Sequence, residues 1–193
     1  MDHSSMSRRR FLQTTGAAAI WLPGSVRGYS ASEVQAFYVD GEMQQDVSKW
    51  ELDTPSLCVD LDALEANIAK MQDTTSRNGI ASRPHAKTHK TPVIAHMQLN
   101  SGSVGICVAK VSEAEAMFQN GVDKLLLTTT NVTATKIRRA MNLRERCEGF
   151  VQATDSAENA ALLSEAAVSL NIMADVVVDV DPGGNRTGIT QGQ

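Results

Sequence analysis

The chain has 193 residues, of which 42% are hydrophobic and 21% are charged, a balance typical of a folded domain rather than a disordered chain. Its 18 basic and 22 acidic residues give a net charge of -4, which argues against a general nucleic-acid binder because no basic surplus neutralises phosphates. Aromatic residues make up only 4%, so a base-stacking surface is also disfavoured. No apolar stretch reaches the roughly 18 residues that indicate a membrane-spanning helix.

The N-terminus combines a basic segment with an apolar one. The run S-R-R-R-F-L at residues 7–12 is followed by the mildly apolar residues 16–22 and then by Pro23. This arrangement resembles a twin-arginine export signal, and the alternative is a disordered basic tail. The resemblance predicts a signal segment over residues 1–31, the export machinery as a partner and a periplasmic location. Residues 32–53 have mixed polarity and no strong period, and we interpret them as a lead-in arm.

Beyond residue 53, short apolar runs alternate with amphipathic segments. The apolar runs predict strands at residues 56–61, 80–86, 105–109, 123–129, 150–153 and 175–181. Helices are predicted between them, at residues 62–78, 91–100, 112–120, 133–147 and 155–170. Three of these begin with a capping-box pair, namely Asp62 with Glu65, Ser112 with Glu115, and Asp155 with Glu158.

The strand–helix alternation predicts an α/β fold with a parallel sheet and helices outside it. A doubly wound sheet and a (β/α)8 barrel both fit this pattern. No G-x-G-x-x-G follows a strand, so a dinucleotide site lacks support. The pair Gly183-Gly184 follows a predicted strand and could expose backbone N–H groups to a ligand.

The three cysteines indicate neither a disulfide framework nor a metal site. Cys58, Cys107 and Cys147 are an odd and sparse set with no zinc-ligand spacing, so no metal-binding residue is predicted. Cys58 and Cys107 lie in apolar runs, which predicts that both are buried.

The most unusual stretch is R-P-H-A-K-T-H-K at residues 83–90. Three cationic side chains and two imidazoles fall within eight residues, directly after a predicted strand. A lysine at the C-terminal end of a strand, beside histidines, is where an α/β enzyme would place a reactive amine. A solvated basic loop is the alternative.

Four segments together resemble one family. They are residues 54–68 (T-P-S-L-C-V-D-L-D-A-L-E-A-N-I), 83–90, 105–116 (G-I-C-V-A-K-V-S-E-A-E-A) and 178–188 (V-D-V-D-P-G-G-N-R-T-G). Over about residues 52–190 the chain resembles the D-threonine aldolase / D-serine dehydratase family of alanine-racemase-fold enzymes. That resemblance implies a (β/α)8 barrel that binds pyridoxal 5'-phosphate (PLP), followed by a β-rich C-terminal domain. Strand 56–61 would pack with that second domain.

The resemblance also implies roles for individual residues. Lys87 matches the cofactor-bearing lysine at the end of the first barrel strand, and Arg186 matches an arginine close to the cofactor. His85 would lie beside the cofactor, either orienting the lysine or serving as a catalytic acid or base. Lys90 would add positive potential nearby. The two remaining histidines of the region are interpreted as structural, namely His89 and His96.

The implied activity is that of a PLP-dependent lyase acting on small D-amino acids. Aldol cleavage of a D-threonine-like 3-hydroxy amino acid and elimination of ammonia from D-serine both fit. A non-catalytic PLP-binding fragment is a further alternative.

The predicted barrel is incomplete. Once strand 56–61 is assigned elsewhere, five barrel strands remain, whereas closure requires eight. We therefore expect residues 54–193 to form a partial barrel of a truncated chain in which the C-terminal β-domain is absent. The divalent-metal ligands of full-length family members would lie in that domain. The open face of the partial sheet predicts self-association.

Overall fold

The computed structural model describes residues 28–39 and 42–190. The chain divides into two compact units, one ending at Asp60 and one beginning at Leu61. Most of the predicted export signal, residues 1–27, lies outside the described residues.

The first unit contains short elements that the sequence analysis had assigned to a featureless lead-in arm. Helix α1 (Ala31–Gln35) precedes an antiparallel pair, β1 (Tyr38–Val39) and β2 (Glu42–Met43), and a 3-10 turn covers Lys49–Glu51. Helix α1 and the 3-10 turn each begin with a reciprocal capping box, Ser30 with Glu33 and Ser48 with Glu51. In both, the serine backbone N–H donates to the glutamate carboxylate at 2.8 Å. The S-x-x-E spacing was therefore a usable signal in this segment.

The second unit alternates helices and strands in chain order. Its elements are α2 (Leu61–Arg77), α3 (Pro92–Asn100), β3 (Ile106–Val108), α4 (Val111–Gln119), β4 (Leu125–Leu127), α5 (Ala134–Arg146), β5 (Phe150–Thr154), α6 (Ala157–Ser169) and β6 (Val176–Val178).

The strands form one parallel sheet in the order β3-β4-β5-β6. The α/β prediction is thus confirmed, but the sheet has four strands among the described residues rather than five. Predicted strand 80–86 contributes only an isolated parallel bridge between His85 and Cys107, with the Cys107 N–H donating to the Pro84 carbonyl at 2.8 Å. The ladder stops there because proline has no N–H and a 3-10 turn begins at Ala86.

The predicted strand at residues 56–61 is wrong. Residues 56–60 have no regular structure, Leu61 already belongs to α2, and Asp62 therefore lies inside the first turn rather than capping it. Leu57 is fully exposed, and Cys58 is exposed rather than buried as expected. A strand needs a neighbouring strand for its backbone hydrogen bonds, and the sheets and bridges of the described residues do not include residues 56–60.

Two predicted capping boxes are also wrong. Helix α4 begins at Val111, one residue before the predicted cap Ser112, and the Glu113 carboxylate instead accepts from the Ala109 N–H at 2.9 Å. Helix α6 is capped by Ser156, whose Oγ accepts from the Asn159 N–H at 3.1 Å.

The hydrophobic core lies between the sheet and its helices. In β3 and β4, alternate residues are fully buried in the core, whereas their neighbours on the other face are partly open. The largest buried side chains are Phe150, Ile106, Met117, Leu125, Leu127, Met141, Leu143 and Leu163. By contrast, all three valines of β6 are exposed, by 42–59%. The core is therefore centred on β3, β4 and β5.

A buried polar network lies at the C-terminal ends of the strands. Asn131, in the loop after β4, donates to the Gln152 side chain at 3.0 Å. Asn159, in the first turn of α6, donates to the Asn131 carbonyl at 2.6 Å and accepts from the Thr154 hydroxyl at 2.9 Å. All four residues are at most 4% exposed. The network ties the loop after β4 to β5 and to the start of α6.

We expect Leu127→Ala to lower the free energy of unfolding by about 2–5 kcal/mol, because Leu127 is fully buried and the truncation leaves a cavity. The matched control is Val178→Ala in the same sheet, where the side chain is 59% exposed and the expected loss is below about 1 kcal/mol. Denaturant unfolding of both variants measures the difference. Equal losses at the two positions would contradict this location of the core.

Candidate functional site at the strand ends

Lys87 lies in the 3-10 turn Ala86–Thr88, immediately after the bridge that joins His85 to Cys107. Within this turn Ala86 is buried, whereas the Lys87 side chain is exposed. Because the bridge is parallel, this turn stands at the same edge as the carboxyl ends of the four strands. The structure therefore presents the Lys87 amine to solvent at the edge where α/β enzymes bind their ligands.

The His85 imidazole makes a hydrogen bond through each of its nitrogens. Nδ1 accepts the backbone N–H of Lys87 at 3.2 Å, and Nε2 lies 3.1 Å from the hydroxyl of Thr128 at the end of β4. A ring nitrogen that accepts a hydrogen bond carries no proton, so the neutral ring is protonated on Nε2. The imidazole thus joins the turn that carries Lys87 to the neighbouring strand.

The surroundings of His85 favour its neutral form. Partial burial lowers the pKa of His85 from its ordinary value, and the positive charge of Lys87 lowers it further. Glu113 and a backbone hydrogen bond act in the opposite direction with less effect. A neutral His85 is the form that the bond to the Lys87 N–H requires. This geometry favours orientation of the Lys87 turn over acid–base work as the role of His85.

Arg186 lies in the loop that follows β6, and its side chain is exposed. Lys87 and Arg186 therefore both lie at the carboxyl ends of the strands. They are at opposite ends of the strand order, because β3, β4, β5 and β6 stand between them. Both predicted cofactor residues therefore lie at the carboxyl edge of the sheet, and no contact joins them in the described structure.

The loop carrying Arg186 folds around Asp181. The Asp181 carboxylate accepts the backbone N–H groups of Gly183 at 2.9 Å, Gly184 at 2.7 Å and Asn185 at 2.9 Å. The glycine N–H groups that the sequence suggested for a ligand are thus bound within the loop. Gly188 closes the loop at φ +93°, where an added Cβ would lie 2.6 Å from the Asp181 backbone nitrogen.

The other charges of the 83–90 stretch have local partners. The Lys90 ammonium lies 3.8 Å from the Glu113 carboxylate, which offsets part of the positive potential expected from it. Arg83 donates to the Lys124 carbonyl at 3.4 Å. Both side chains therefore contact the β3–β4 region of the fold rather than Lys87.

The two further histidines of the region, His89 and His96, make contacts near helix ends. His89 Nδ1 accepts the Thr91 N–H at 3.0 Å, and burial lowers the pKa of His89 from its ordinary value. His96 Nε2 donates to the Asn120 carbonyl at 2.7 Å, at the end of α4. Each imidazole holds the end or the start of a helix.

Within residues 28–39 and 42–190, no group of three or more His, Cys, Asp or Glu side chains could hold a metal ion. None of the helices there is both long and apolar enough to cross a membrane.

Residues 59–193 match the family described as the alanine racemase N-terminal domain. The chain belongs to this family. A 3-hydroxy-D-aspartate aldolase from Paracoccus denitrificans is 38% identical over 141 residues, covering 72% of this chain and 36% of that protein. A D-threo-3-hydroxyaspartate dehydratase from a Delftia species is 31% identical over 138 residues, covering 72% of this chain and 36% of that protein.

A solved structure supports the same assignment. The D-threonine aldolase from Filomicrobium marinum superposes with a TM-score of 0.71 at 39% identity, covering 74% of this chain and 38% of that one. The chain thus spans a little over a third of the length of the relatives it matches. Its four-stranded sheet corresponds to part of an alanine-racemase-like barrel.

Sequence reasoning missed Thr128 and the buried polar network. The usable signal was the run T-T-T-N at residues 128–131, since polar residues directly after a buried strand lie at the ligand-binding edge of a parallel sheet. Which of these side chains would reach His85 depends on the alignment of β3 with β4, and the sequence does not contain that information.

We expect the protein to lose stability as the pH falls below about 6.5, the ordinary pKa of histidine. The pKa values of His85 and His89 are both lowered in the folded state, so the unfolded chain binds more protons in this window. Their contribution is fully present above about pH 6.5 and is lost as the pH falls toward the folded-state values.

Urea unfolding at stepwise pH between about 7 and 5.5 measures the effect, since this range brackets the histidine pKa. A His85→Asn/His89→Asn double variant should show a shallower dependence on pH. An equally steep dependence in the double variant would contradict the assignment to these two imidazoles.

Proposed function

We propose that this chain supplies the cofactor-anchoring part of a PLP-dependent lyase that acts on D-amino acids. The observation that carries the proposal is Lys87, whose exposed amine stands at the carboxyl edge of the sheet on a turn fixed by His85. The residues present fit an aldehyde cofactor, because such a cofactor requires an accessible amine on a rigid support.

PLP, when bound, would withdraw electrons from the substrate Cα. The residues of this chain would contribute attachment, charge and orientation. Lys87 would provide the amine for covalent attachment, and Arg186 would provide a positive charge at the same edge. His85, neutral and bonded through Nδ1 to the Lys87 N–H, would hold the backbone from which that amine extends.

The substrate proposed first is a 3-hydroxy D-amino acid such as D-threonine, cleaved at the Cα–Cβ bond. Support comes from the similarity to a D-threonine aldolase and to a 3-hydroxy-D-aspartate aldolase. Elimination of ammonia, as from D-serine, is the second candidate, and the similarity to a dehydratase favours it. Glycine and acetaldehyde from D-threonine would indicate the first reaction, and pyruvate from D-serine the second. PLP binding without either product would indicate a non-catalytic protein.

We expect PLP to form a borohydride-reducible adduct on Lys87. Peptide mapping after reduction should place the label on Lys87 in the unaltered protein. Lys87→Ala should abolish the label, because no other amine in the turn Ala86–Thr88 is available for attachment. Lys90→Ala is the matched control, since Lys90 lies three residues away beside Glu113 and should leave the label on Lys87. Labelling that persists in Lys87→Ala would refute the proposed anchor.

We also propose that the protein is exported by the twin-arginine pathway to the periplasm. The support is the S-R-R-R-F-L run at residues 7–12 and the apolar segment that follows it.

Substituting Arg8 and Arg9 by lysine should retain the protein in the cytoplasm, because the charge stays and only the arginine pair is lost. Cell fractionation and immunoblotting measure the distribution, with Arg10→Lys as the matched control. Equal export of the Arg8→Lys/Arg9→Lys variant and the control would argue against this route.

A further inference from the structure

Thr128 stands where two neighbouring strands and the Lys87 turn meet. Its backbone N–H donates to the Val108 carbonyl at 2.9 Å, and its hydroxyl donates to the same carbonyl at 3.1 Å. The same hydroxyl oxygen lies 3.1 Å from His85 Nε2. One side chain thus contacts both β3 and the imidazole that holds Lys87.

The directions of these hydrogen bonds are fixed by proton counting. A threonine hydroxyl has one proton, and here the Val108 carbonyl accepts it. Toward His85 the hydroxyl must therefore act as an acceptor, which requires a proton on Nε2. His85 Nδ1 is then free of a proton and accepts the Lys87 N–H. The hydrogen bonds therefore run in one direction, from the Lys87 N–H to His85, from His85 to Thr128, and from Thr128 to the Val108 carbonyl. Each donor in this series has an acceptor.

The neighbouring residue offers an internal comparison. Thr129 makes the corresponding bond one position further on, from its hydroxyl to the Ala109 carbonyl at 2.5 Å. Thr129 is exposed, and its hydroxyl bonds to the backbone alone rather than to His85. Each threonine hydroxyl therefore donates to a carbonyl of β3 or of the residue that follows it. Of the two, Thr128 alone also contacts the imidazole.

The loop that begins at Thr128 is held from its other end as well. Asn131 is 4% exposed, donates to the Gln152 side chain, and receives through its carbonyl a hydrogen bond from Asn159. Thr128 is thus part of a loop fixed to β3, β5 and α6. A loop anchored in this way can hold the Thr128 side chain at a defined position.

We propose that Thr128 is a positioning residue, which acts through His85 to fix the turn that carries Lys87. Its significance for the reaction rests on the function proposed above, in which Lys87 anchors the cofactor. Without the Thr128 hydroxyl, Nε2–H loses its acceptor in a partly buried place, and the ring is free to turn away. The Lys87 N–H would then lose its own acceptor, and the amine would extend from a mobile turn.

The test uses the intact protein with 15N-labelled histidine and requires no cofactor. In the unaltered protein, the His85 ring should give the 15N spectrum of a neutral imidazole protonated on Nε2. A ring protonated on Nδ1 would overturn the proposal directly, and this measurement needs no variant.

Three variants then separate positioning from general stability. Thr128→Val removes the acceptor while retaining a β-branched side chain, Thr128→Ser restores a hydroxyl, and Thr129→Val removes the neighbouring hydroxyl only. Hydrogen exchange of the Lys87 amide should accelerate about tenfold in Thr128→Val, the equivalent of one lost hydrogen bond. The Ser variant and Thr129→Val should exchange at the unaltered rate. The amides of β4 serve as the internal measure of global unfolding.

The possible results have distinct meanings. Equal exchange at Lys87 in Thr128→Val and Thr129→Val would overturn the positioning role. If Thr128→Val does not fold, the 15N spectrum of the unaltered protein and the Thr128→Ser exchange rate decide the question. Failure of borohydride labelling at Lys87 would refute the proposed cofactor role. It would not affect the hydrogen bonds proposed between Lys87, His85 and Thr128.

Discussion

The parallel alignment of the strands is the constraint on which the site depends. Because β3, β4, β5 and β6 run in one direction, every polar residue that follows a strand arrives at the same edge of the sheet. In β3 and β4, burial of alternate residues in the core favours that alignment, since a shift by one residue would turn the buried set toward the open face. Lys87, Thr128, Asn131 and Arg186 all lie along the carboxyl edge for this reason, although about a hundred residues separate the first from the last.

Two kinds of polar contact complete this edge, and they differ in burial. Asn131, Gln152, Thr154 and Asn159 are buried and bonded mainly to one another, so they fix the loops in place. His85 is only partly buried and connects that fixed part to the exposed Lys87 turn. The Lys87 amine is thus open to solvent, whereas the polar groups that fix the neighbouring loops are shielded from water.

In the loop after β6, the N–H groups of the glycine pair bind a side chain of the same loop. A glycine pair after a strand is compatible with ligand binding, yet here the Asp181 carboxylate occupies the N–H groups of Gly183, Gly184 and Asn185. The loop is thereby closed on its own side chain, and Arg186 projects from a defined turn. The family similarity and the fold agree on a barrel segment, and the exposed valines of β6 mark the side on which the sheet is uncovered.

The sequence by itself determined the order of the helices and strands from β3 to β6, and the position of Lys87 at the carboxyl edge of the sheet. Apolar alternation, glycine and asparagine at helix ends, and the basic run at residues 83–90 are local signals that survive folding. Only the tertiary structure decided that residues 56–60 form no strand, that residues 80–86 give one bridge, and that Ser156 caps α6. Each of these depends on which backbone groups find partners. The contact of His85 with Thr128 depends on the same thing, because it joins residues 43 positions apart through an alignment of strands that no local pattern encodes.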